Sequence, residues 1–172
     1  MSPRFIGRLI AIALVMVVIL ALRIAYFGRV TFSPANLSIV PGDDWKEVKI
    51  PASLPVCSPT LVGKAGMISA MLLDEEIKDI SAAAEHVQSS LVSAGNAPAD
   101  GFAQENFTTA SDLAGVHFSY MAKSPSGGAS VKCHQFIAHN IHGQCVSISY
   151  VTPPQKESTA VIGAIKKTLR AE

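Results

Sequence analysis

Residues 130–152 read SVKCHQFIAHNIHGQCVSISYVT. Two runs rich in β-branched and aromatic residues, Ser130 to His139 and Gln144 to Thr152, flank the four-residue link Asn140-Ile141-His142-Gly143. A link of that length with Gly last suits a type I turn closed by a glycine bulge. The turn sets the register: Phe136 is expected opposite Ile148, Ala138 opposite Val146 and His139 opposite Cys145. One face of this hairpin is then apolar, which is what a strand pair needs in order to sit on a core.

Working outward, Phe102 to Thr109 and Val116 to Lys123 also read as strands, and Ser124-Pro125-Ser126-Gly127-Gly128 as the flexible turn that feeds the hairpin. Downstream, Pro153-Pro154 ends the last strand. Ser158 is placed to cap a helix whose Val161, Ile162, Ile165 and Leu169 make one apolar stripe, with Lys166, Lys167 and Arg170 in its last turns, where the helix dipole favours cations. Upstream, Ile77, Ile80, Ala84, Val87 and Leu91 fall three and four apart and predict another amphipathic helix. Asp74, Glu75, Glu76 and Asp79 crowd its start, and Gly95 stands where a left-handed C-cap is wanted.

Before that helix, Trp45 to Ile50 alternates apolar and charged residues like a half-buried strand, and Pro51 and Pro55 follow it. Pro55 to Leu61 is a weaker strand, and Gly66 to Leu73 is apolar enough to be covered on both faces. The order is strands, helix, four antiparallel strands, helix. Each helix has one apolar face that needs a sheet to cover. The expected fold class is α+β, an antiparallel sheet flanked by two helices, over residues 45–172.

The N-terminal part is of another kind. Leu9 to Leu22 is LIAIALVMVVILAL, fourteen apolar residues without a charge. As a helix it covers roughly 21 Å, and continuing to Phe27 brings the span to about 28 Å, close to the thickness of a bilayer core. Arg23 can snorkel to the headgroups, and Tyr26 and Phe27 suit the interface. A cleaved signal peptide is the competing reading, but a cut after Ala25 would put Arg23 at −3. The expectation is an uncleaved single-pass anchor at 9–27, a cytoplasmic tail at 1–8 and a linker at 28–44 carrying Pro34, Pro41 and Gly42. The tail lies inside, and the domain in the periplasm or outside the cell.

The whole chain has 172 residues, 49% hydrophobic and 16% charged, with a formal net charge of +1. Arg4, Arg8, Arg23 and Arg29 belong to the N-terminal segment, which leaves ten basic against thirteen acidic residues beyond it. A mildly acidic domain is a poor partner for nucleic acid, whose phosphates need a concentrated basic face.

The element order resembles the PsbP-like fold, the α/β/α sandwich of DcrB- and PsbP-type envelope or lumenal domains. The residues that carry the likeness are Trp45-Lys46-Glu47-Val48 opening the first strand, the helix after Leu73, the strand Gly115-Val116-His117-Phe118-Ser119-Tyr120, and Gln144-Cys145-Val146-Ser147-Ile148-Ser149-Tyr150 before a final helix. They span about residues 44 to 171 as a pattern of elements rather than a motif. The resemblance implies a mostly non-enzymatic protein that docks onto other proteins or large complexes, and it transfers no functional residue.

Chemistry-bearing residues cluster on the hairpin: Cys133, His134, His139, His142 and Cys145. Cys133 and Cys145 stand about six residues apart along the sheet, roughly 20 Å, too far to share a metal or a disulfide. His139, His142 and Cys145 around the turn remain as a three-ligand set for zinc or copper. A disulfide would have to join Cys57 to Cys133 or Cys145; otherwise Cys57 is a small buried residue. His86 is expected in solvent, and His117, alternating with Val116 and Phe118, is expected on the surface. No Gly-x-Ser-x-Gly, Ser-x-x-Lys or His-Glu-x-x-His pattern occurs. The functional expectation is a membrane-tethered, non-catalytic interaction or scaffolding module of the cell envelope, partnered by the membrane and by another envelope protein. The alternatives are a metal- or small-ligand-binding protein using the His139–Cys145 turn and an enzyme whose site the sequence does not connect.

Overall fold

A computed structural model describes residues 28–42, 44–49, 56–98, 101–123 and 129–172. The expected anchor over 9–27 and its tail lie outside the described residues, among which no helix is long and apolar enough to cross a membrane. The expected hairpin forms strands β8 (Val131–His139) and β9 (Cys145–Thr152), with Phe136 opposite Ile148, Ala138 opposite Val146 and His139 opposite Cys145. Its turn is closed by Gly143, whose φ of +71° is the left-handed conformation that glycine adopts freely. Asn140 Oδ1 accepts from the backbone N–H groups of His142 and Gln144 and so holds the turn from inside.

Around this pair lie β3 (Trp45–Val48), β4 (Cys57–Gly63), β5 (Gly66–Leu72), β6 (Ala103–Thr108) and β7 (Ala114–Ala122). They make one seven-stranded antiparallel sheet of order β3-β4-β5-β9-β8-β7-β6. Two helices pack on it. Helix α1 (Ile80–Ser93) lies over β7 and β8, burying Ala83, Ala84 and Val87 among Val116, Phe118, Tyr120, Cys133 and Ile137. Helix α2 (Thr159–Thr168) buries Val161 and Ile165 in the other core, with Phe136, Ala138, Val146, Ile148 and Tyr150. The α+β class and the two helices are as the sequence predicts.

The caps follow local chemistry, with one shift at the start of α1. The helix begins at Ile80, so Asp74, Glu75 and Glu76 precede it, and Asp79 is its cap, accepting from Ala82 N at 2.8 Å. At its other end Gly95 has φ +71°, the expected left-handed stop. Ser158 caps α2 by accepting from Val161 N at 3.4 Å.

Residues 28–42, from the expected linker over 28–44, are instead part of the fold. Strands β1 (Val30–Phe32) and β2 (Leu37–Ile39) pair with each other, and β2 also pairs with β10 (Arg170–Ala171) at the end of the chain. Phe32, Leu37 and Ile39 are fully buried in the α2-side core. Arg29 Nη1 donates to Ser38 Oγ at 2.8 Å and to the carbonyl of Thr168 at 3.1 Å, and Val40 N donates to Thr168 Oγ1 at 2.8 Å. The beginning and the end of the domain are thus clasped together. Three apolar side chains leaving water for a core outweigh the turn-forming character of Pro34 and Pro41.

Candidate functional site

The structure does not gather the predicted ligand set. His139 Nε2 donates to the Lys78 carbonyl at 2.7 Å, His142 is exposed, and Cys145 is fully buried beneath α1. Burial lifts the Cys145 thiol above its ordinary range and the Asp79 carboxylate adds to this, the opposite of what a thiolate ligand requires. Among the described residues no three His, Cys, Asp or Glu side chains stand close enough to hold a metal ion. The sheet also settles the disulfide. Cys57 belongs to the α2-side core, Cys133 and Cys145 to the α1-side core, so the sheet stands between them and all three thiols are free. His86 is exposed on α1, as expected.

His117 is the other correction: it is buried, not a surface residue. Strand β7 is covered on both faces, so the residues that alternate with Val116 and Phe118 point into the α2-side layer rather than into water. There His117 meets His134. His117 lies directly opposite Phe136, and His134 opposite Tyr150. The four rings stack in the order Phe136, His117, His134, Tyr150, with centroid separations of 4.5, 5.3 and 5.6 Å and interplanar angles of 11°, 14° and 23°.

Both ends of the imidazole pair face a carboxylate. His117 Nδ1 lies 2.8 Å from Glu105 Oε1 on β6, His117 Nε2 lies 3.1 Å from His134 Nδ1, and His134 Nε2 lies 3.0 Å from Glu157 Oε1. Lys166 of α2 donates to the same Glu105 oxygen at 2.5 Å, and that hydrogen bond holds the Glu105 carboxyl below the ordinary carboxylate range. An ionised Glu105 fixes the tautomers. His117 Nδ1 donates to it, His117 Nε2 accepts from His134 Nδ1, and His134 Nε2 is left without a hydrogen. Burial pushes both imidazoles below the ordinary histidine range, His134 to about 4, with the neighbouring His117 adding to the effect. His134 Nε2 is a buried nitrogen with no hydrogen-bond partner. The line thus ends in an acceptor nitrogen that stands 3.0 Å from the Glu157 carboxylate without a hydrogen bond to it.

The α1 side carries a different feature. Between α1 and the strands β5 and β9 lies a groove of about 420 Å³, walled by Met71, Val87 and Leu91. On its floor Gln135 Oε1 accepts from Ser147 Oγ at 2.8 Å and from Ser149 Oγ at 2.7 Å. Beyond the groove, α1 leaves β4 and β5 open on that face, where Val62 and Met67 stand opposite each other. Val62, Met67 and Met71 are 44%, 41% and 37% exposed, which marks an apolar strip at the surface.

Neither feature is a spacing motif, and the histidine line escaped the sequence reading for that reason. Its one sequence signal is register: pairing β7 antiparallel to β8 across the link 124–128 places His117 beside Phe136 and His134.

No protein-family model matches the chain, and no curated protein sequence does. Solved structures do. The solution structure of cyanobacterial PsbP (CyanoP) from Synechocystis sp. PCC 6803 matches 84% of this chain and 91% of its own length, with a TM-score of 0.54 at 8% identity. A crystal structure from Bacteroides thetaiotaomicron VPI-5482 matches 80% of this chain with a TM-score of 0.51 at 14% identity. The present chain spans 45% of the length of that protein. At such identities the likeness is one of backbone architecture, and the chain has the PsbP-like fold.

Proposed function

We propose that this domain is a non-catalytic docking module held at a membrane surface, with the open part of the sheet beside α1 as its binding face. The observation that carries the proposal is the strip Val62, Met67 and Met71, exposed together next to a groove with a polar floor. Methionines suit such a face, because their unbranched, polarisable side chains adapt to a partner's shape. The apolar run at 9–27 supplies the tether, N-terminus inside and domain outside the cytoplasm. With β1 starting at Val30, little chain is left between tether and fold, so the domain is held close to the bilayer. That confinement raises its effective concentration toward another membrane-associated protein.

The test is site-specific photocrosslinking of the full-length chain in its own membrane. A crosslinker at Met67 or Val62 is expected to capture a second polypeptide, whereas one at the exposed Lys167 is not. Crosslinks to lipid alone from both strip positions overturn the docking reading. The groove supports a second reading, since about 420 Å³ with apolar walls and a hydroxyl-bearing floor suits a small amphipathic molecule. In that case a ligand co-purifies with the chain and is lost when Val87→Trp fills the groove.

A further inference from the structure

The line of side chains under α2 plays no part in docking through the opposite face, yet its hydrogen count is incomplete. Glu105, His117, His134 and Glu157 make three contacts in a row, at 2.8, 3.1 and 3.0 Å. Each contact needs one hydrogen between its two heavy atoms, and two neutral imidazoles supply two. The deficit falls at the buried end, where His134 Nε2 faces Glu157 Oε1, acceptor against acceptor. A histidine pair present only for packing would be satisfied by its neighbours at neutral pH; this one is short by one hydrogen.

We propose that the Glu105–His117–His134–Glu157 line is an acid-operated latch that fastens the Pro154–Lys156 turn, and with it the first turn of α2, to the sheet. One added proton lets His134 Nε2 and Glu157 Oε1, 3.0 Å apart but not hydrogen-bonded, align and close the row. The surrounding charges keep that proton away from the Glu105 end. Glu105 on β6 is already engaged by Lys166 of α2, which fixes the far end of the helix to the sheet. Lys132 on β8 opposes positive charge on either imidazole, and Tyr150 on β9 covers His134 with its ring rather than with a charge. Glu157 follows the short 3₁₀ turn Pro154–Lys156 and precedes the capping Ser158, so its engagement is transmitted to where α2 begins. Helix α2 is therefore fixed to the sheet near its C-terminus by Lys166 and met at its N-terminus by the His134–Glu157 contact.

The test uses the full-length chain in detergent or nanodiscs, wild type and Glu157→Gln. The side-chain amide introduced by Glu157→Gln can donate to His134 Nε2 without any added proton, so this variant closes the latch at neutral pH. Amide hydrogen exchange of residues 155–161, corrected for intrinsic rates, is expected to slow about twofold in the wild type between pH 7.5 and pH 4, where half of the molecules hold the added proton, and further below pH 4. In Glu157→Gln these amides are expected to be more protected than in wild type already at pH 7.5. Equal protection of the two proteins at pH 7.5 overturns the latch, as does a wild-type turn whose protection does not rise with acid. Ring-nitrogen NMR of the wild type decides independently of any variant: His134 Nε2 is expected to be unprotonated at pH 7.5, and a protonated Nε2 there overturns it too.

Discussion

At the residue scale, burial decides what the titratable groups do. His134 is held neutral, with a folded pKa near 4 against an ordinary 6.5, chiefly by burial and then by His117. A histidine lowered in this way disfavours its proton in the folded state. Its stabilising contribution is therefore complete above about pH 6.5 and is lost as the pH falls through about 4. The loss is on the order of 3 kcal/mol at most. Urea unfolding of His134→Leu should accordingly show a flatter stability profile between pH 6.5 and 4 than the wild type; an unchanged slope contradicts the assignment. The latch closes within the folded state while that state weakens overall, because the Glu157 contact offsets only part of the cost of burying a charge. The three thiols follow the same logic. Burial raises Cys57, Cys133 and Cys145 above their ordinary range, so a thiol reagent near neutral pH should label none of them until denaturant is added. Rapid labelling of the native chain would contradict their burial.

At the scale of elements, β1 and β2 matter most. Phe32 is fully buried, so Phe32→Ala should cost about 3–5 kcal/mol in equilibrium unfolding, whereas a linker residue would cost almost nothing. Asp79→Ala should cost about 1 kcal/mol through loss of the α1 cap, with the same loss absent in Glu76→Ala, which lies ahead of the helix. These elements differ in how legible they are. The stripes of α1 and α2, the Asn140–Gly143 turn and the register of β8 on β9 can be read directly, because period, cap and turn chemistry are local. The segments Val30–Phe32 and Leu37–Ile39 are three residues each, too short for alternation to register, and β2 finds a partner in β10 more than 130 residues away.

At the scale of the molecule, the sheet separates the two candidate features by its faces. The α1 side offers the open strip at β4 and β5, and the α2 side holds the histidine line. Met67→Asp combined with Val62→Asp should abolish crosslinking to a partner while moving stability by no more than about 0.5 kcal/mol, since exposed positions carry little folding energy. Loss of folding in that double variant would mean that the strip is structural. The sequence by itself determined the α+β class, the two helices with the Gly95 stop and the Ser158 cap, the central hairpin and the apolar run before residue 28, all of which rest on neighbours within a few residues. Only the tertiary structure decided the rest: that Val30–Phe32 and Leu37–Ile39 belong to the fold, that Cys57 is walled off from Cys133 and Cys145, and that His117 meets His134 instead of solvent. Period-two alternation states which residues share a face of a strand, but not whether that face meets water. When helices cover both faces, that question is answered only by packing between distant segments.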